Sequence, residues 1–178
     1  MNEVAIIKLP DLRFYEYSLD DFKRHQAVTE CWRNIDGEWK LLPIAFTEDW
    51  GLEKCREEAA DLLQRADRDL IVFVALQNDK VVGFVTVNTR ALGSGKQYLQ
   101  IEAFQVSEPY RGQGIGKALF AKACAAAKEL GAQKLYISAH SSKESQAAYR
   151  ALGCVHAQES IPWIADQEPY DVQMEYAL

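Results

Sequence analysis

The segment of this chain best suited to chemistry is Arg111-Gly112-Gln113-Gly114-Ile115-Gly116-Lys117. Glycines at 112, 114 and 116 allow a backbone to approach a ligand closely. The helix predicted to follow them aims free N–H groups and the positive end of its dipole into the same space. Arg111 and Lys117 place positive charge beside it. The type of chemistry is phosphate binding, although Gly-x-Gly also occurs in ordinary tight turns. Two common phosphate motifs fail here. The dinucleotide fingerprint needs a glycine where Lys117 stands, and the Walker loop needs Ser or Thr where Ala118 stands, so a hydroxyl for magnesium is missing. A nucleotide-phosphate enzyme is disfavoured accordingly.

The elements that must position this turn are readable from pattern. Tyr98–Val106 reads as a strand entering it and Gly114–Leu130, rich in alanine, as the helix leaving it, with Gly131 as its C-terminal stop. Leu70–Leu76 is a continuous apolar run, as expected of a strand covered on both faces, and Asn78-Asp79 turns it into a second strand over Val81–Thr89. Downstream, Leu135–Ala139 reads as a strand and Ser141–Leu152 as a helix opened by the capping box Ser141-x-x-Glu144 and ended by Gly153. Cys154–Glu159 and Asp171–Ala177 read as closing strands. Upstream, Leu12–Ser18 is expected to be a strand, and Asp20 or Asp21 to cap a short helix through Gln26. Asp36-Gly37 between Val28 and Leu42 signals a hairpin, with Trp32 and Trp39 facing each other across it. Thr47 or Asp49 should cap a helix over Leu52–Arg65. The result is one α/β domain over residues 1–178. Its sheet is mixed and mostly antiparallel, because hairpins surround a single strand–helix–strand crossover.

Composition narrows the class. The 178 residues are 48% hydrophobic and 26% charged, which excludes a disordered, collagen-like or coiled-coil chain. The run Leu70–Leu76 falls far short of the roughly 20 apolar residues of a membrane span. Met1–Pro10 does not read as a secretory signal. The cysteines (31, 55, 124, 154) and histidines (25, 140, 156) are scattered without metal-ligand spacing, so no metal is expected and the thiols are expected to be reduced, in the cytoplasm. A net charge of −6 argues against nucleic-acid binding. The charge is unevenly spread: residues 1–70 and 156–178 are acidic, and residues 71–155 carry 10 Lys/Arg against 5 Asp/Glu. That pattern fits an anionic ligand in the middle and a cationic one near the flanks, the acidic stretch Glu168–Asp171 included, or simply an uneven solvated surface.

The stretch Phe104-Gln-Val106-Ser-Glu-Pro-Tyr-Arg111-Gly-Gln-Gly-Ile-Gly116-Lys-Ala-Leu119 resembles the acetyl-CoA motif, Arg-x-x-Gly-x-Gly, of the GNAT superfamily of N-acetyltransferases. Ser142-x-x-Ser145-x-x-x-Tyr149-x-x-x-Gly153 resembles that family's second signature, with Ser142 and Ser145 where Asn and Ala are usual. The order of elements matches the family fold over nearly the whole chain. The resemblance implies acetyl transfer from acetyl-CoA to an amine by direct attack on the thioester. It implies cofactor contacts from Phe104, Val106, Arg111, Gly112, Gln113, Gly114, Ile115, Gly116, Lys117 and Ser142, with the Val106 N–H polarising the carbonyl. An amine with a pKa near 10.4 must lose a proton before it attacks. Glu102 would be its base if regular pairing puts it on the face of Val106; it reads equally as a solvent-facing strand carboxylate. Tyr149 holds the family's position for assisting the departing thiolate, or is a packed aromatic. The acceptor is a small-molecule or peptide amine, with no membrane or nucleic-acid partner, and a homodimer is expected. The rival reading is a non-catalytic acyl-CoA sensor on the same fold, which would need the glycine turn but neither Glu102 nor Tyr149.

Overall fold

The computed structural model describes residues 3–178. Seven strands form one sheet in the order β1 (Ala5–Lys8), β4 (Leu70–Gln77), β5 (Lys80–Asn88), β6 (Tyr98–Val106), β7 (Lys134–Ala139), β9 (Val172–Ala177) and β8 (Val155–His156). Among the described strands only β6 and β7 run parallel, and α2 (Ile115–Glu129) makes the crossover between them. The mixed, mostly antiparallel α/β sheet expected from the sequence is therefore present. A second, two-stranded sheet is the hairpin of β2 (His25–Ile35) and β3 (Glu38–Asp49), turned at Asp36 and Gly37, which both have positive φ as a tight primed turn requires.

Two apolar layers enclose the sheet. On one face α2 presents Ile115, Leu119, Phe120, Ala123 and Ala127 to Val85 and Val87 of β5, Leu99 and Ile101 of β6, and Leu135 and Ile137 of β7. On the other face α1 (Leu52–Arg65) presents Cys55, Ala59 and Leu62 to Val72, Val74 and Phe84. Between β7 and β9, helix α3 (Lys143–Ala151) returns the chain to the α2 side, and a short α4 (Pro162–Ala165) covers Tyr98 and Tyr136 on the opposite face.

The differences from the expected elements have local causes. Leu12–Ser18 is irregular, with a turn beginning at Glu16, and not a strand; Phe14 is buried while Tyr15 and Tyr17 stack on the surface at 5.0 Å. The edge strand is instead Ala5–Lys8, and Pro10 just beyond it has no N–H to continue a ladder. No helix follows Asp20, whose carboxylate holds Arg56, and β2 begins at His25. Neither Thr47 nor Asp49 caps α1, because both lie within β3 and Asp49 pairs with His25; the cap position is Gly51. The cap of α3 is Ser142, one residue later than the expected Ser141, whose hydroxyl is taken by Arg33. Trp32 and Trp39 do not face each other: Trp32 lies opposite Leu41 and Trp39 opposite Asn34. Trp32 instead lies under Arg150 of α3, and Trp39 against His156 of β8.

Candidate active site

The site begins with a defect in β6. Val87 of β5 lies opposite Ile101, whereas Val85 lies opposite Phe104, so β6 carries one extra residue between them. A β-bulge of this kind bends its strand and re-aims side chains. Ile101, Phe104 and Val106 all pack on the α2 side, while Ala103 packs on the α1 side and Glu102 reaches Arg65 of α1. Glu102 is thus not on the face of Val106, and the regular alternation expected from sequence fails at this point.

The bulge also ends the pairing with β7. The parallel ladder runs only from Tyr98 beside Lys134 to Ile101 beside Ile137. Beyond it β6 and β7 separate into a wedge, with Phe104 and Val106 along one arm and Ser138 and Ala139 along the other. On β6, the Ala103 N–H donates to Thr86 Oγ1 and the Ser107 N–H to the Val82 carbonyl. Alternation therefore turns the N–H groups of Phe104 and Val106 away from β5 and into the wedge. These are backbone donors aimed at a common space, as an oxyanion or an amide-bearing ligand requires.

The glycine turn stands at the head of that wedge. Gly112 (φ 75°) and Gly114 (φ 83°) both adopt the left-handed conformation, and a Cβ at either would meet nothing within 4 Å. The glycines there serve backbone shape and access rather than packing. Gly114 is the N-cap of α2, and no side chain caps the helix. The first intrahelical bond runs from the Ala118 N–H to the Gly114 carbonyl, so the N–H groups of Ile115, Gly116 and Lys117 have no partner within the helix. Three free donors at the positive end of a 15-residue helix make an anion site.

Not every residue of the motif faces that site. Ile115 is buried under the sheet. The exposed Arg111 side chain folds back onto the backbone, donating from Nε to the Val106 carbonyl (3.0 Å) and from a terminal nitrogen to the His25 carbonyl (2.7 Å). Its pKa is lowered by burial first and then by the charge of Arg24. Arg111 is a brace between the end of β6 and the start of β2. Gln113 donates to the Pro109 carbonyl, bracing the turn, and Lys117 is exposed. Ser142 is fully buried; its hydroxyl accepts from the Ser145 N–H and from Gln26, so it is committed to the cap and the hairpin.

Tyr149 and Phe104 pack on the α2 side of the wedge, ring centroids 6.1 Å apart. The Tyr149 hydroxyl has no hydrogen-bond partner among the described residues. Burial pushes its pKa well above the usual phenol value, and the negative charge of Asp171 adds to the shift. Glu102, by contrast, is saturated. Arg65 grips both of its oxygens (2.8 and 3.1 Å), Asn88 donates to one of them, and Arg65 also holds Asp69.

The α1 side of the wedge holds groups that sequence reasoning did not assemble. Glu48 of β3 accepts from Arg24 at 2.6 Å and from His140 Nε2 at 3.2 Å. The Ser142 N–H donates to His140 Nδ1, which places the ring proton on Nε2. Asp171, at the head of β9, accepts from Ser138 Oγ at 3.1 Å. Glu48 and His140 lie 92 positions apart, and no motif links them. For Asp171 the acidic stretch 168–171 was the only signal. Among the described residues, no three His, Cys, Asp or Glu side chains gather so as to hold a metal ion.

A sequence model described as the acetyltransferase (GNAT) family matches residues 35–154, two-thirds of the chain. The chain belongs to the GNAT acetyltransferase family. GNAT proteins also stand among the solved structures with the same fold. A nourseothricin acetyltransferase is 19% identical with a TM-score of 0.71, each chain covered to 98%. A putative streptothricin acetyltransferase from Bacillus anthracis str. Ames, solved with acetyl coenzyme A, is 18% identical with a TM-score of 0.69, covering 99% of this chain and 98% of its own. An aminoglycoside 6'-N-acetyltransferase complexed with coenzyme A is 15% identical with a TM-score of 0.53, covering 70% of this chain and 80% of its own. No curated protein matches the sequence.

Proposed function

We propose that this GNAT-family protein transfers the acetyl group of acetyl-CoA to the primary amine of a small, cationic molecule. The observation that carries the reading is the wedge. It joins two unpaired strand N–H groups, at Phe104 and Val106, to an uncapped helix N-terminus behind left-handed glycines. The free N–H groups of Ile115 to Lys117 suit the pyrophosphate of CoA. The Phe104 and Val106 donors suit the pantetheine amide and the thioester carbonyl, where a fixed N–H stabilises developing negative charge. The unpartnered Tyr149 hydroxyl suits the sulfur of the leaving group. The carboxylate of Asp171 on the opposite face, with one oxygen unpartnered among the described residues, supports a cationic acceptor. Among the structures that match almost end to end are acetyltransferases named for nourseothricin and streptothricin, which supports a small-molecule amine over a peptide. Homodimerisation is part of the same proposal, and sedimentation reads it.

The test is thiol release from acetyl-CoA against a panel containing nourseothricin, an aminoglycoside, spermidine and a lysine peptide. Turnover with a small-molecule amine is expected. Binding of acetyl-CoA without turnover on any member would favour the sensor reading. Calorimetry on Gly114→Val checks the cofactor end. A branched side chain in the left-handed conformation costs about 1–2 kcal/mol of stability and obstructs the approach to the helix N-terminus, so a folded variant should lose acetyl-CoA affinity. Unchanged affinity would rule the turn out as the cradle.

A further inference from the structure

The two faces of the sheet are differently equipped where the β6–β7 ladder ends. On the α2 side lie the uncapped helix, Phe104 and Tyr149. On the α1 side stand three carboxylates: Glu102 on β6, Glu48 on β3 and Asp171 just before β9. Two of them are spent. Glu102 has both oxygens bound by Arg65 and one shared with Asn88, and Glu48 has one oxygen on Arg24 and the other on His140. Asp171 differs. Its Oδ2 accepts from Ser138, and Oδ1 has no partner among the described residues.

Asp171 is also the end of a directed chain of donors. The Ile161 N–H donates to the Tyr136 hydroxyl (3.1 Å), that hydroxyl donates to Gln173 Oε1 (2.5 Å), Gln173 Nε2 donates to Ser138 Oγ (3.0 Å), and Ser138 donates to Asp171. Each group gives its proton toward the carboxylate and none competes for it. Such a chain polarises in one direction and fixes the carboxylate in place. Ser138 lies just past Ile137, the last residue of β7 paired with β6, so the chain delivers Asp171 to the β7 arm of the wedge. Its charge is felt at the Tyr149 hydroxyl on the other side.

We propose that Asp171 is the base of the acetyl transfer, accepting on Oδ1 the first proton of a primary ammonium acceptor. This rests on the acetyl-transfer reading. The protons balance as follows. The ammonium gives one proton to Asp171, and the freed nitrogen lone pair forms a bond to the thioester carbonyl carbon. The carbon–sulfur bond then breaks with its electron pair leaving on sulfur. The Tyr149 hydroxyl protonates that sulfur and is refilled by the second proton of the nitrogen, and Asp171 returns the first to solvent. The surroundings suit the task. Burial raises the carboxyl pKa, the charges of Glu168 and Glu48 raise it further, and Ser138 and His140 oppose them. A carboxylate with raised affinity for protons is the better base for an amine.

The experiment is the pH profile of kcat/KM for Asp171→Asn on the panel amine that the wild-type protein turns over. The asparagine side chain can still accept from Ser138. The folded-state pKa of Asp171 is raised, so its charge opposes folding once pH exceeds the unfolded value; at pH 7 the variant should melt no lower than wild type. Without a base only neutral amine reacts. The deficit near pH 7 should be about 10²–10⁴-fold and shrink about tenfold per pH unit toward the pKa of the amine, with acetyl-CoA affinity within a few-fold of wild type. A deficit that does not vary with pH would make Asp171 a structural group and overturn the assignment, as would no deficit at all. Wild-type protein that releases no thiol with any panel amine would overturn the transfer reading, and the base with it.

Discussion

Tyr149 shows how a single side chain can be poised by what it lacks. Its ring packs against Phe104 at 6.1 Å, so the hydroxyl is fixed, yet none of the described residues bonds to it. Burial holds the phenol pKa up, with the charge of Asp171 adding to the shift, so the group stays protonated through the neutral range. A donor of that kind serves a departing thiolate at any working pH. Tyr149→Phe should therefore lower kcat by more than tenfold while the packing, and acetyl-CoA affinity, survive. The wild-type profile should show no loss from tyrosine ionisation below about pH 10. Wild-type turnover by the phenylalanine variant on a substrate limited by chemistry would remove Tyr149 from the mechanism. At this scale the sequence was legible wherever a residue type forced its own geometry. Gly112 and Gly114 are left-handed because glycine alone is at ease there, and they were found by spacing. It was not legible where a neighbour decided the outcome. Arg111 is expected to face the phosphate site but braces two carbonyls, and Glu102, expected to be either the amine's base or a solvent-facing strand carboxylate, is gripped by Arg65, 37 positions away.

At the scale of elements, strands and helices with strong pattern came out within a residue or two. Leu52–Arg65 and Tyr98–Val106 have the expected bounds, and the Asp36-Gly37 hairpin forms as its turn chemistry requires. The bulge in β6 left no mark in the sequence, because the extra residue is defined only by pairing with β5; yet it separates β6 from β7 and turns Glu102 to the other face. A second determinant hidden in pairing is Gly83. A Cβ there would stand 2.9 Å from Leu119 Cδ1, 3.1 Å from the Gln105 carbonyl oxygen and 3.3 Å from Ile115 Cγ2. This glycine lets α2 settle onto β5 and so sets the height of the helix N-terminus over the wedge. Gly83→Ala should cost about 1–3 kcal/mol through overpacking, since the strand carbonyl cannot move aside. It should also weaken acetyl-CoA binding by tilting the first turn of α2. Thermal unfolding together with calorimetry reads both, and a stable variant with full affinity would show that α2 tolerates the displacement.

Across the whole molecule, the hairpin is the part whose stability is borrowed. A two-stranded ribbon is marginal by itself, and β2–β3 lies outside the main sheet. It is tied down chiefly through the start of α3. The Trp32 N–H donates to the Ser141 carbonyl at 2.8 Å, and Cys31 bridges Ser142. Gln26 donates to Ser142 Oγ at 2.8 Å, Lys143 pairs with Glu30 at 2.7 Å, and Arg150 lies over Trp32. The same hairpin carries Glu48 to the α1 side of the wedge and, through the His25 carbonyl, anchors Arg111. Ser142, expected to touch cofactor, thus joins the segment of the second motif to the hairpin. Its hydroxyl performs two tasks, capping α3 at the Ser145 N–H and receiving Gln26, and its side chain is wholly buried. Removing it deletes a cap worth about 0.5–2 kcal/mol and leaves the Gln26 amide without its closer partner, Ser145 Oγ remaining at 3.3 Å. Ser142→Ala should therefore lower global stability by about 1–2 kcal/mol. Amide exchange should accelerate in β2, β3 and the first turn of α3 more than in β4–β7. Because the glycine turn is untouched, acetyl-CoA affinity should stay within a few-fold of wild type while KM for the amine rises. The opposite pattern, lost cofactor affinity with a quiet hairpin, would return Ser142 to the cofactor site.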